Sequence, residues 1–131
     1  MCEPGVRAGR RETVAMTQLP VTLTRPIDGS HCTRTAEMEW QPTDSPGFWI
    51  KVLYDEHGAP TRGNTQLMRV DPGAFADFHD HDQVEEIYVL DGEFTDQFTT
   101  YRTGDYCLRA IGATHRAGSA SGCTVLLIYR D

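Results

Sequence analysis

The chain has 131 residues, of which 39% are hydrophobic and 24% charged, and carries a net charge of −7 at pH 7. That length gives one domain able to bury a core, and the composition is that of a folded globule rather than a disordered chain. The acidity excludes a nucleic-acid surface built on basic patches, and no apolar run approaches the ~20 residues of a membrane span.

Residues 1–20 are rich in Gly, Arg and Pro and have no apolar period, which predicts a flexible tail ahead of a single domain over 21–131. The opening MCEPGVRAGRR is basic, but no apolar segment follows it, so no secretory signal is expected and the protein is placed in the cytoplasm. Cys2, Cys32, Cys107 and Cys123 form no CxxC pair and read as free thiols in that compartment. From Val21 onward turn signals recur at short intervals, among them Asp28-Gly29, His57-Gly58, Asp71-Pro72-Gly73, Asp91-Gly92, Thr103-Gly104 and Ser121-Gly122. Between them lie pieces with strand character: TRTAEMEW, FWIKVLYD, TQLMRVD, EEIYVLD, EFTDQFTTYR, YCLRAI and TVLLIYR. No segment keeps a helical period. Many short strands with regular turns predict an all-β sandwich or barrel.

Within this pattern, FHDHDQVEEIYVLDGEF over residues 78–94 stands apart. It lies in a stretch, Asp71 to Asp96, with nine Asp or Glu and no Lys or Arg, a field that attracts a cation. Strand side chains alternate faces, and His79, His81, Glu85, Ile87 and Val89 all have odd numbers. A strand with an irregularity near Asp82-Gln83 therefore aims two imidazoles and a carboxylate at the interior that Ile87 and Val89 enter. Buried unpaired, such groups are costly, and a divalent metal is the partner that suits them. Imidazole favours Zn, Cu, Fe and Ni, while the carboxylate extends the choice toward Mn.

The spacing of these residues resembles the first motif of the cupin superfamily. Gly73, His79, His81, Glu85 and Gly92 fill every fixed position of that motif, with the shorter of its two spacers before the glutamate. Gly104, Gly112 and His115 follow the second motif in order and register, with Ala110 where the family has proline and Ser119 where it has asparagine. Residues 38–130 are most similar to the cupin-like domain of ChrR-type anti-sigma factors and their stand-alone relatives. The resemblance implies a single-domain, double-stranded β-helix (jelly-roll) cupin barrel. It also implies one divalent transition metal held by His79, His81, Glu85 and His115, with Fe(II) favoured over Zn, Ni, Mn or Co. It selects Glu85 over Glu86, which has the opposite parity.

Relatives in this group include enzymes that cleave carbon–carbon bonds of β-diketones and hydroxyacetophenones. The resemblance therefore implies an Fe(II)-type dioxygenase acting on a small enolisable carbonyl compound. Some of those enzymes use three histidines without a glutamate, so Glu85 is a departure from them. Two alternatives accompany this reading: a non-redox isomerase, cyclase or decarboxylase using Zn, Ni or Mn, and a non-enzymatic sensing module of the anti-sigma kind. A homodimer is expected by family analogy. Arg69, Phe75 and Tyr106 are candidate substrate contacts, His57 is expected to be a loop residue, and Trp40 and Trp49 are expected to be wall or interface aromatics.

Overall fold

A computed structural model describes residues 26–27, 30–55 and 63–131. The tail expected over residues 1–20, the turns at Asp28-Gly29 and His57-Gly58, and His57 itself lie outside the described residues. The chain divides between Cys32 and Thr33 into two units. In the first, β1 (Pro26–Ile27) pairs antiparallel with β2 (Ser30–His31). The second unit, Thr33–Asp131, contains the candidate site described below.

That unit is built from β3 (Gln41–Pro42), β4 (Phe48–Asp55), β5 (Asn64–Val70), β6 (Ala74–Phe75), β7 (Val84–Asp96), β8 (Thr100–Arg102), β9 (Tyr106–Arg109), β10 (Ala117–Ser119) and β11 (Cys123–Arg130). The strands form one curled sheet in the order β3-β4-β5-β11-β7-β10-β6, with β8 and β9 also paired to β7. All of these pairings are antiparallel. This is the expected all-β cupin barrel. Among the described residues no helix is long and apolar enough to cross a membrane.

The long strand β7 organises the curl. Its first half pairs with β11 and β9, and its second half with β8 and β10. Between the halves, Val89 faces Val125 and Asp91 faces Thr124, so Leu90 is an extra residue without a partner on β11. A β-bulge of this kind bends a strand and exchanges its faces. Glu85, Ile87 and Val89 point inward before it, whereas Phe94 and Asp96 point inward after it. Asp91-Gly92, expected from sequence to be a turn, is thus part of a bend within a continuous strand. Gly92 sits at φ +79°, and a Cβ there would run into the Gly122 carbonyl. We expect Gly92→Ala to destabilise the fold by at least ~2 kcal/mol, from left-handed strain plus the clash, measured by denaturant unfolding.

The inward residues Phe48, Val70, Ile87, Val89, Phe94, Val125 and Leu127 form the core, and Cys123 is buried among them. Cys32, Cys107 and Cys123 are free thiols, as expected. One strand expectation is corrected. TRTAEMEW contains a single 3-10 turn, Thr35–Glu37; among the described residues its backbone has no paired strand, and none of the turn's residues is buried. This turn is tied to the middle of β4, where the Lys51 ammonium donates to the Thr35 carbonyl at 2.8 Å.

Candidate metal centre

The two halves of the site are brought together by the backbone. His79 and His115 form an isolated antiparallel bridge, each amide donating to the other's carbonyl, at 3.0 and 2.9 Å. Facing residues in such a bridge project to the same side. Their rings therefore lie 4.4 Å apart, centre to centre. His81, two residues on, shares that face and is fixed by the Gly112 amide donating to its carbonyl at 2.9 Å. Its ring centre is 4.9 Å from that of His79 and 5.5 Å from that of His115. One nitrogen from each of the three imidazoles falls within 4.8 Å of the others, a set positioned to hold a metal ion. The chain bends at Asp82 and Gln83 before entering β7.

Glu85 enters from β7 and is 2% exposed, while Glu86 faces outward. Its facing neighbours are Tyr129 on β11 and Arg109 on β9. The Tyr129 hydroxyl donates to Glu85 Oε2 at 2.8 Å. Glu85 Oε2 lies 3.1 Å from His81 Nε2, and Oε1 lies 3.7 Å from His115 Nε2. The His81 contact has ion-pair distance but lacks hydrogen-bond alignment, so its effect is electrostatic.

The protonation of the site groups is set by burial and by their neighbours. The His79 Nδ1 contact with the Asp77 carbonyl, 2.8 Å, requires the proton on Nδ1, because a carbonyl only accepts. In the neutral tautomer that leaves Nε2 with its lone pair. Burial is the main cause that drives the His115 pKa down to about 4, so this imidazole is neutral at pH 7. The adjacent Glu85 carboxylate raises the His81 pKa against the opposing effect of burial. Burial pushes the Glu85 carboxyl upward, but His81 and Tyr129 outweigh it and hold the pKa below its ordinary value.

The donor atoms also pass a test of fit. His81 Nε2, His115 Nε2 and Glu85 Oε1 are buried and make no hydrogen bond. Each such atom costs about 1–3 kcal/mol when left without a partner. A divalent cation would satisfy all three at once, which a packed structural cluster of imidazoles does not.

Beside this set lies a cavity of about 520 Å³, within the range of small-molecule sites. Phe48, Ile50, Met68, Phe94 and Leu127 supply apolar wall, and the half-exposed Phe75 stands at its edge. Phe75, one of the candidate substrate contacts, is thus among the residues lining the cavity. Arg69 and Tyr106 do not line the cavity. The Arg69 guanidinium lies over the rings of Trp40 and Trp49, 4.9 and 5.5 Å from their centres, and 3.9 Å from Asp71. Even-numbered residues of β9 face outward, so the Tyr106 hydroxyl donates to Glu86 Oε1 at 2.6 Å. Sequence reasoning missed Tyr129 and Arg109, the residues that flank Glu85. Their only signal was cross-strand register, which no local motif encodes.

A curled antiparallel barrel with three histidines, positioned to hold a metal ion, converging from two adjacent segments is the architecture of a cupin. The chain belongs to the ChrR cupin-like domain family, whose profile matches residues 28–130. No curated protein matches it. Among solved structures, it resembles an RmlC-like cupin from Shewanella frigidimarina, with TM-score 0.67 and 19% identity over 77% of this chain and 90% of the other. The polyketide cyclase RemF from Streptomyces resistomycificus gives TM-score 0.66 and 19% identity, over 76% and 78% of the two chains. A chain from the Rhodobacter sphaeroides complex of SigE with the anti-sigma ChrR gives TM-score 0.62 and 19% identity, covering 98% of this chain and 70% of the other. At these identities the likeness establishes the fold.

Proposed function

We propose that this protein is a mononuclear metal-dependent enzyme, an Fe(II)-type dioxygenase acting on a small enolisable carbonyl compound. The observation that carries the reading is the set of buried donors without hydrogen-bond partners, His81 Nε2, His115 Nε2 and Glu85 Oε1, at the wall of an apolar cavity. His79, His81, His115 and Glu85 would hold the ion. When bound, Fe(II) supplies a Lewis acid for a carbonyl or enolate oxygen and a redox centre able to use O2.

The protein's own residues supply the rest. Phe48, Ile50, Met68, Phe94 and Leu127 give the cavity apolar wall, which disfavours water beside a reacting group. Among the described residues no lysine or arginine lines the cavity, and its acidic members are Asp44, Asp77 and Glu85. Such a wall disfavours a substrate that arrives as an anion. It suits a substrate that arrives as a neutral carbonyl compound. The Tyr129 hydroxyl keeps its proton, since burial and then the Glu85 charge push its pKa far above the ordinary value. It therefore anchors Glu85 Oε2 as a donor and leaves Oε1 for the ion.

An oxygen electrode tests the reaction class. Fe(II)-loaded protein is expected to consume O2 when given small 1,3-diketones or hydroxyaryl ketones, and Zn(II)-loaded protein is not, because zinc has no redox chemistry. Turnover of the same compounds by the Zn(II) form without O2 uptake would replace this reading by the isomerase or cyclase alternative.

A further inference from the structure

Among the described residues, the buried cation nearest the donor set is Arg109, and it stands between two carboxylates. Its Nη2 donates to Asp96 Oδ2 at 2.8 Å. Its Nε lies 3.3 Å from Glu85 Oε1 yet makes no hydrogen bond. Asp96 is itself fixed: Oδ1 accepts from the amides of Phe98 and Thr99 at 2.7 and 2.9 Å, and Oδ2 accepts from the Tyr101 hydroxyl at 2.9 Å. Its side chain is fully buried, so this acceptor is held in one place. An arginine freed from Asp96 would have a strong alternative, because a guanidinium fork matches a carboxylate in a bidentate pair. That pair would use Glu85 Oε1, the same oxygen that makes no hydrogen bond.

We infer that Asp96 is a positioning residue for the metal centre: by holding Arg109, it keeps Glu85 Oε1 available to the ion. The inference rests on the reading of Glu85 as a ligand. Asp96 and Glu85 lie on the same strand on either side of the Leu90 bulge, and the bulge turns both toward Arg109. Sequence parity alone would have put them on opposite faces. Arg109 and the metal then compete for one oxygen, and Asp96 sets the outcome.

Asp96→Asn tests this, because its Oδ1 still accepts from the Phe98 and Thr99 amides while its amide nitrogen no longer accepts from Arg109. The affinity for Co(II) is read by competition with a chromophoric chelator, and the Co(II) absorption spectrum reports the ligand set. Asp96→Asn is expected to weaken binding by about 10–100-fold, the range for partners that orient a ligand, and to change the spectrum. Asp96→Asn combined with Arg109→Met removes the competitor and is expected to restore both affinity and spectrum to near wild type. If Asp96→Asn does not fold, the double variants Asp96→Asn/Arg109→Lys and Asp96→Asn/Arg109→Met make the same comparison, with the cation kept or removed. Wild-type affinity in Asp96→Asn, or in the lysine double variant where that stands in, would overturn the inference. So would weak binding in a folded methionine double variant. Failure of wild-type protein to bind Co(II) at all would instead remove the metal-centre reading on which the inference depends.

Discussion

His115→Ala is expected to lose metal almost completely while keeping its fold. The loss should exceed about 100-fold in affinity, since even residues that merely orient a ligand contribute 10–100-fold. The fold should survive because the bridge to His79 is made by backbone atoms, which alanine retains. The space left by the imidazole joins a cavity that already exists, so the removal creates no sealed void. His81→Ala should behave alike, with its carbonyl still accepting from the Gly112 amide. Elemental analysis after reconstitution, beside circular dichroism of the metal-free proteins, measures both parts. A second readout is thermal: a metal at 100 times its Kd stabilises by about 2.7 kcal/mol, and that increment should vanish in either variant. Wild-type metal content in His115→Ala would show that the three imidazoles do not act as one site.

The contrast between what could and could not be read from sequence has a physical cause. FWIKVLYD is β4 residue for residue, and TVLLIYR is β11 but for Cys123, because alternation and flanking turns are local signals. The three histidines were legible for the same reason, as the spacing of two short motifs. Asp91-Gly92 was not. A glycine at positive φ serves a hairpin turn or a bulge equally well, and only its approach to Gly122 on a distant segment decides between them. TRTAEMEW failed similarly: its residues are compatible with a strand, but a strand needs a neighbour, and none is supplied. Tyr129, Arg109 and Asp96 stayed invisible because their gathering around Glu85 and Arg109 depends on two inter-strand registers and one bulge at once. Arg69 shows the converse. Its position on the strand before the first motif was correct, and the face it occupies belongs to Trp40 and Trp49.

Glu85→Gln is expected to weaken metal binding by about 10–100-fold, whereas Glu86→Gln should leave it within about twofold. The two substitutions are chemically identical and one residue apart, so strand parity alone separates them. Glu85 is buried between Tyr129 and Arg109, with one oxygen lacking a hydrogen bond. Glu86 lies on the outer face, where it accepts from the Tyr106 hydroxyl and from Arg130 Nε at 2.6 and 3.0 Å. Its contacts are with solvent-exposed groups, and pairs of that kind contribute little. In Glu85→Gln the amide oxygen can still accept from Tyr129, so the side chain keeps its anchor. What it loses is the negative charge that completes a site otherwise built of imidazoles. Tenfold in affinity corresponds to about 1.4 kcal/mol, a difference resolved by competition titration with either Co(II) or Zn(II). Equal effects at the two positions would mean that Glu85 is not a ligand, and the centre would then be the three-histidine set alone. The reverse order would mean that β7 presents its other face to the cavity, against the burial of Ile87 and Val89 at 1% exposure each.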